Sequence, residues 1–105
     1  MLKIEYSPQA LEDLKKLSEY LTSNWDELVS IRILKKIIGD VRTLERFPLL
    51  GADLGKFINL PTDYRFLYSE KNYIFYNLEF DRVRIVRILN EKQDYMQHLF
   101  GMLNK

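Results

Sequence analysis

The chain of 105 residues carries 16 basic and 15 acidic side chains, a net charge of +1, and 47% hydrophobic residues, the size and balance of one folded domain over 1–105. It has no cysteine, which excludes disulfides, cysteine-ligated zinc and thiol nucleophiles. Residues 1–50 hold eight basic and eight acidic side chains and residues 51–105 hold eight and seven, so no basic excess marks a protein that depends on many phosphate contacts.

Charges interrupt the apolar residues of Met1 to Tyr6, and no run approaches the ~18 apolar residues of a membrane span. The expectation is a cytoplasmic protein with no membrane partner. In the same segment Leu2, Ile4 and Tyr6 alternate with Lys3 and Glu5, which predicts a strand over 2–6. Ser7-Pro8 then supplies an N-cap and a first-turn proline. Leu14, Leu17, Leu21 and Trp25 follow from Ala10 at steps of three and four, so a helix is predicted to about Thr22, with a break at Ser23-Asn24.

Asp26 caps a second predicted helix, on which Leu28, Ile31, Leu34, Ile38, Val41 and Leu44 are assigned to one inward face. That helix ends before Phe47-Pro48, and Gly39 within it implies close packing against the first helix. Residues 47–63 hold two prolines and two glycines and read as a loop. Its Leu49, Leu50, Leu54, Phe57 and Leu60 either tuck against the sheet, the simpler reading, or form a docking surface. Three strands follow at 64–68, 73–78 and 83–89, joined by turns short enough for antiparallel neighbours. A last helix is predicted from about Lys92 to Leu103. The fold class is α+β, in the order β-α-α-β-β-β-α, with the helical hairpin on one face of a small, mainly antiparallel sheet.

Eight of the fourteen aromatic residues lie between Phe57 and Phe80, where they serve core packing or flat recognition. In the strands, Tyr64, Phe66 and Tyr68 share a face opposite Arg65 and Leu67; Val83, Ile85, Arg87 and Leu89 share another. An arginine flanked by apolar neighbours needs a partner or a route to water. Arg65 and Arg87 therefore either pair with Asp63, Glu91 or Asp94, or make a positive site on the open face of the sheet. His98, the single histidine, reads as solvated. No metal motif, phosphate loop or nucleophile elbow is present, so neither a metal nor a cofactor is expected.

The series Tyr64-Arg65, Tyr73-Ile74-Phe75-Tyr76, Val83 to Leu89, Asp94 and Leu99-Phe100, preceded by Ala10, Asp13-Leu14, Tyr20, Leu44, Phe47-Pro48 and Gly51, resembles the RelE/ParE superfamily of bacterial toxins. The resemblance implies a type II toxin–antitoxin (plasmid stabilisation) module, in which a cognate antitoxin neutralises the toxin. Two mechanisms share this fold. ParE-like members block DNA gyrase; RelE-like members cleave mRNA on the ribosome, with basic side chains, tyrosine or histidine assisting attack by a ribose 2′-OH.

Many members carry a histidine directly after the last strand, where this chain has Asn90. Asparagine cannot exchange a proton near neutral pH, and Lys56 is the one lysine in the loop before the strands. The ParE-like, gyrase-directed reading is therefore preferred. In the RelE-like alternative Arg65, Arg87 and Tyr95 would be catalytic. Residues expected to meet a target or partner are Tyr64, Tyr76, Asn90 and Asp94, with Phe57 and Trp25 as apolar anchors.

Overall fold

A computed structural model describes residues 1–102. The first strand, β1, spans Lys3–Tyr6, and helix α1 spans Pro8–Asn24. Ser7 makes the junction: its hydroxyl accepts from the Ala10 amide at 2.9 Å and donates to the Val86 carbonyl at 2.7 Å. One side chain thus starts the helix and ties it to the sheet. No break occurs at Ser23-Asn24; α1 continues to Asn24, whose side-chain amide donates to the Tyr20 carbonyl, and it stops at Trp25.

Asp26 caps helix α2, Glu27–Arg42, by accepting from the Val29 amide at 2.8 Å. A single 3-10 turn, Thr43–Glu45, follows. The apolar positions of α2 divide into two stripes. Ile37 and Val41, continued by Leu44 of the 3-10 turn, are buried with Ile33 against them, whereas Leu28, Ile31 and Ile38 remain exposed. Gly39 is exposed too, and a Cβ placed on it would meet nothing within 4 Å, so close packing does not explain it.

Residues 47–63 are not a plain loop. They contain the two-residue strand β2, Ala52–Asp53, and the short helix α3, Leu54–Ile58. Asp53 caps α3 through the Gly55 amide, and Asn59 ends it in the left-handed conformation at φ 57°, which asparagine tolerates better than most residues. Strands β3, Arg65–Ser69, β4, Asn72–Leu78, and β5, Arg82–Asn90, come next. Helix α4, Tyr95–Phe100, is capped by Asp94 and terminated by Gly101. It is shorter than the spacing predicts, and Leu103 lies outside the described residues.

The strands form one mixed sheet in the order β1-β5-β4-β3-β2, with β1 parallel to β5 and the other pairs antiparallel. The α1–α2 hairpin covers one face over Ile74, Tyr76, Val83, Ile85 and Ile88. The second face is covered as well: Leu54 and Ile58 of α3 and Tyr95, Leu99 and Phe100 of α4 pack on Phe66, Tyr73, Phe75 and Leu89. The open sheet face expected from the sequence is thus occupied over β3, β4 and the end of β5. No described helix is long and apolar enough to cross a membrane.

Candidate functional site

A β-bulge decides where Arg87 points. Tyr76 pairs with Ile85, but the next residue back on β4, Phe75, pairs with Arg87, so Val86 is left over. Strict alternation would put Val83, Ile85, Arg87 and Leu89 on one face. Past the bulge, Ile88 joins Val83 and Ile85 under the hairpin while Leu89 faces α3 and α4.

Arg87 itself turns to the edge of β5. Its Nε and Nη2 donate to the two carboxylate oxygens of Asp13 on α1 at 2.8 and 2.9 Å, and Asp13 Oδ2 also accepts the Ile88 amide at 2.9 Å. The side chains are only 16% and 10% exposed. This bidentate bond to Asp13 holds the Arg87 guanidinium above its ordinary pKa against the opposing effect of burial. Asp13, rather than an acid near the strand ends, is the partner of Arg87.

Arg65 lies two strands away and serves a different element. Its Nη2 donates to the carbonyls of Gly51, 2.7 Å, and Leu49, 3.2 Å, while its Nε is buried without a hydrogen-bond partner. Tyr76, opposite Arg65 in register, is fully buried; its hydroxyl donates to the Pro48 carbonyl at 2.8 Å and accepts the Gly51 amide at 3.0 Å. Tyr76, expected to meet a target or partner, is thus sealed from solvent with its hydroxyl spent on two backbone bonds. Gly51 is required there, because a Cβ would stand 2.6 Å from the Tyr76 hydroxyl and 2.7 Å from the Phe66 carbonyl.

Pinning the backbone of 48–51 inward turns its side chains outward. Phe47, Leu49 and Leu50 are exposed, as are Phe57 and, at the rim, Leu60; Leu54 alone of the segment's leucines is buried. The tucked arrangement expected for this segment is therefore confined to Leu54. Phe57 is 68% exposed and stands edge-on to Phe66, with ring centroids 5.5 Å apart. Trp25, 69% exposed, projects at the hairpin turn.

Tyr95 lies over Phe75 and Tyr73, with ring centroids 5.4 and 5.9 Å apart. Burial raises the pKa of its phenol, with smaller contributions from Tyr73 and Asp94. Tyr64 packs on Phe100 at 5.8 Å. Asn90 shapes the exit from β5: its side-chain oxygen accepts the Lys92 amide at 3.0 Å and its own amide donates to Gln93. Asp94 caps α4 by accepting the Gln97 amide.

Arg65, Arg87 and Tyr95 do not converge. The arginines sit on β3 and β5 with β4 between them, two strand spacings or about 10 Å apart in backbone position. Arg65 faces the hairpin side and Tyr95 the α3–α4 side. A charged group on the second face that sequence reasoning missed is Glu5, which ion-pairs with both Arg82, at 2.6 Å, and Arg84. Their register, Glu5 opposite Arg84 across a parallel pair, becomes visible only when β1 is placed beside β5. Among the described residues no group of three or more potential metal ligands comes together.

A helical hairpin laid on a five-stranded mixed sheet, with two short helices on the far side, is the RelE/ParE-like α+β architecture. A solved structure described as "Chromosomal ParDE TA system from P. aeruginosa" superposes with a TM-score of 0.73 at 16% identity, covering 86% of this chain and 96% of that one; at that identity the likeness speaks for the fold. Among curated proteins no sequence match is found. The family model for the ParE toxin of type II toxin-antitoxin system, parDE, matches residues 4–95, and the chain belongs to that family.

Proposed function

We propose that this protein is a cytoplasmic toxin that inhibits DNA gyrase by binding it, and that a cognate antitoxin neutralises it. The observation that carries this reading is the dispersal of Arg65, Arg87 and Tyr95. Assisted attack of a 2′-OH on phosphate needs a proton acceptor and cationic groups around one reacting centre. Here one arginine clasps Asp13, the other holds loop carbonyls, and the tyrosine packs on Phe75 and Tyr73 on the opposite face with its phenol a weaker acid than usual. Asn90 offers no proton exchange in place of histidine.

What the fold does present is shaped surface. Phe47, Leu49, Leu50 and Phe57 point outward, the backbone of 48–51 being pinned by Arg65 and Tyr76, and apolar side chains presented to solvent favour macromolecular contact. A binding inhibitor requires no more than this, and an antitoxin that covers such surface disarms it. The reading is tested by inducing the chain alone and together with its antitoxin. Growth should stop in the first case and resume in the second, with mRNA ends in the arrested cells showing no cleavage pattern tied to translated codons. Codon-phased cleavage would establish the nuclease instead.

A further inference from the structure

The tip of the β4–β5 hairpin carries an aromatic ring that this fold does not use. Phe80 is 102% exposed, so it packs on nothing and belongs to neither core cluster. Tight turns favour glycine, asparagine, aspartate, serine and proline for backbone reasons; a phenylalanine there serves neither the turn nor the core. The turn itself is well defined. The Glu79 amide donates to the Arg82 carbonyl at 2.9 Å, and the Lys3 amide donates to the Asp81 carbonyl at 3.3 Å. The Arg82 guanidinium ion-pairs with Glu5 at 2.6 Å, Asp81 at 3.0 Å and Glu79 at 3.7 Å. One residue before Lys3, the Leu2 amide donates to the Glu45 carbonyl at 3.0 Å. The Phe80 tip and the turn leading to the outward Phe47 therefore flank the start of β1 together.

We infer that Phe80 is the anchor by which the toxin holds its protein target, its ring entering an apolar pocket with a basic rim on gyrase. A ring exposed on every side is covered by a concave pocket and not by a flat surface, and aromatic anchors seated in pockets carry much of the energy of protein interfaces. Charge selects the rim. The neighbours of the ring, Glu79 and Asp81, are both exposed carboxylates, which cations on the partner complement. Other occupants fit less well. Nucleic acid that takes an aromatic wedge needs cations free for its phosphates, whereas Arg82 is spent on three carboxylates and Lys3 acts on Asp81. An anionic lipid surface repels the two flanking acids. A second copy has no pocket to offer: the enclosed apolar cavity of the described residues, beneath Phe57, is about 10 Å³, and the wider hollow beside Met1 and Pro48 is open and lined by Glu45 and Arg46. Assigning the pocket to gyrase rests on the gyrase-directed reading above.

The test measures the dissociation constant for purified gyrase of three forms of the full chain: unsubstituted, Phe80→Ala and Glu79→Lys. Both sites face solvent, and an unchanged urea midpoint verifies that each variant is folded. Phe80→Ala is expected to weaken binding at least ~30-fold, as loss of a seated aromatic anchor does. Glu79→Lys is expected to weaken it about threefold or more, with most of the change in the association rate and less of it at high salt. Unchanged gyrase affinity of either variant overturns the inference and leaves the gyrase-directed reading standing. Failure of the unsubstituted chain to bind gyrase removes that reading and the inference with it. Light scattering that shows a dimer of the unsubstituted chain turned monomeric by Phe80→Ala assigns the ring to a second copy and also overturns the inference.

Discussion

Arg87 and Asp13, 74 positions apart in sequence, meet in a bidentate ion pair that joins the end of β5 to the first helix. Beyond Tyr6, β1 no longer accompanies β5, and α1 takes over that edge. Ser7 collects the Ile85 and Val86 carbonyls and Asp13 collects the Ile88 amide. An edge that would otherwise expose unpaired backbone is closed by the Ser7 amide and two side chains, Ser7 and Asp13.

Removing Asp13 strands the Arg87 cation in a mostly enclosed position and frees the Ile88 amide. Asp13→Ala should cost about 2–4 kcal/mol, read from urea unfolding. Because much of that loss is the uncompensated charge, Asp13→Ala combined with Arg87→Met should regain part of it. A double variant no better than the sum of the single ones would contradict this explanation.

Tyr76 and Gly51 form a second coupled pair. Tyr76→Phe removes a buried hydroxyl that satisfies both Pro48 and Gly51 and should cost about 1–3 kcal/mol, with faster hydrogen exchange at the Gly51 amide. Gly51→Ala should be destabilising also. Combining it with Tyr76→Phe should relieve only part of the strain, since the Phe66 carbonyl, 2.7 Å from the added carbon, remains.

Gly39 gives the opposite sign. In the middle of α2 with open space around it, it weakens the helix relative to alanine, and Gly39→Ala should stabilise the free protein by about 0.5–1 kcal/mol. Thermal or urea unfolding of the isolated chain measures this. A neutral or negative effect would mean that α2 carries strain at that position.

Asp40 makes stability depend on acid pH. Burial pushes its carboxyl up, but hydrogen bonds from Lys36 and from Ser69, the latter at 2.5 Å, together with the Lys36 charge, leave it net below its ordinary value. A carboxylate whose folded pKa lies below its unfolded one stabilises the fold above the unfolded value. That contribution disappears as pH falls through the ordinary carboxylate range toward the folded value. The urea midpoint should therefore decline on acidification below about pH 4, and Asp40→Asn should flatten that part of the profile. Identical pH profiles for the two proteins would rule Asp40 out as a contributor.

The elements most legible in the sequence are those defined by local chemistry. Ser7-Pro8 and Asp26 mark helix starts through the amides they cap, and the short turn after Tyr68, between two strand-like aromatic runs, marks a hairpin. What was not legible arises from contacts between distant residues. Alternation along 83–89 misassigns Arg87 because the bulge at Val86 is created by pairing with β4, and no residue type announces it. The apolar residues of α2 fit one broad helical face on paper, yet only the stripe meeting the sheet and α1 is buried. Segment 47–63 reads as a loop because a five-residue helix has too few turns for periodicity; Asp53 two residues before Gly55 was its one available signal. The outward leucines follow from Arg65 and Tyr76 holding the backbone, a relationship without any local signature.

The most direct test of gyrase inhibition by binding is a supercoiling assay with purified gyrase, relaxed plasmid and ATP, alongside a translating ribosome reaction programmed with defined mRNA. The toxin should block supercoiling in proportion to its concentration, antitoxin should restore it, and the mRNA should stay intact. Undisturbed supercoiling together with mRNA cut at ribosome-bound codons would contradict it.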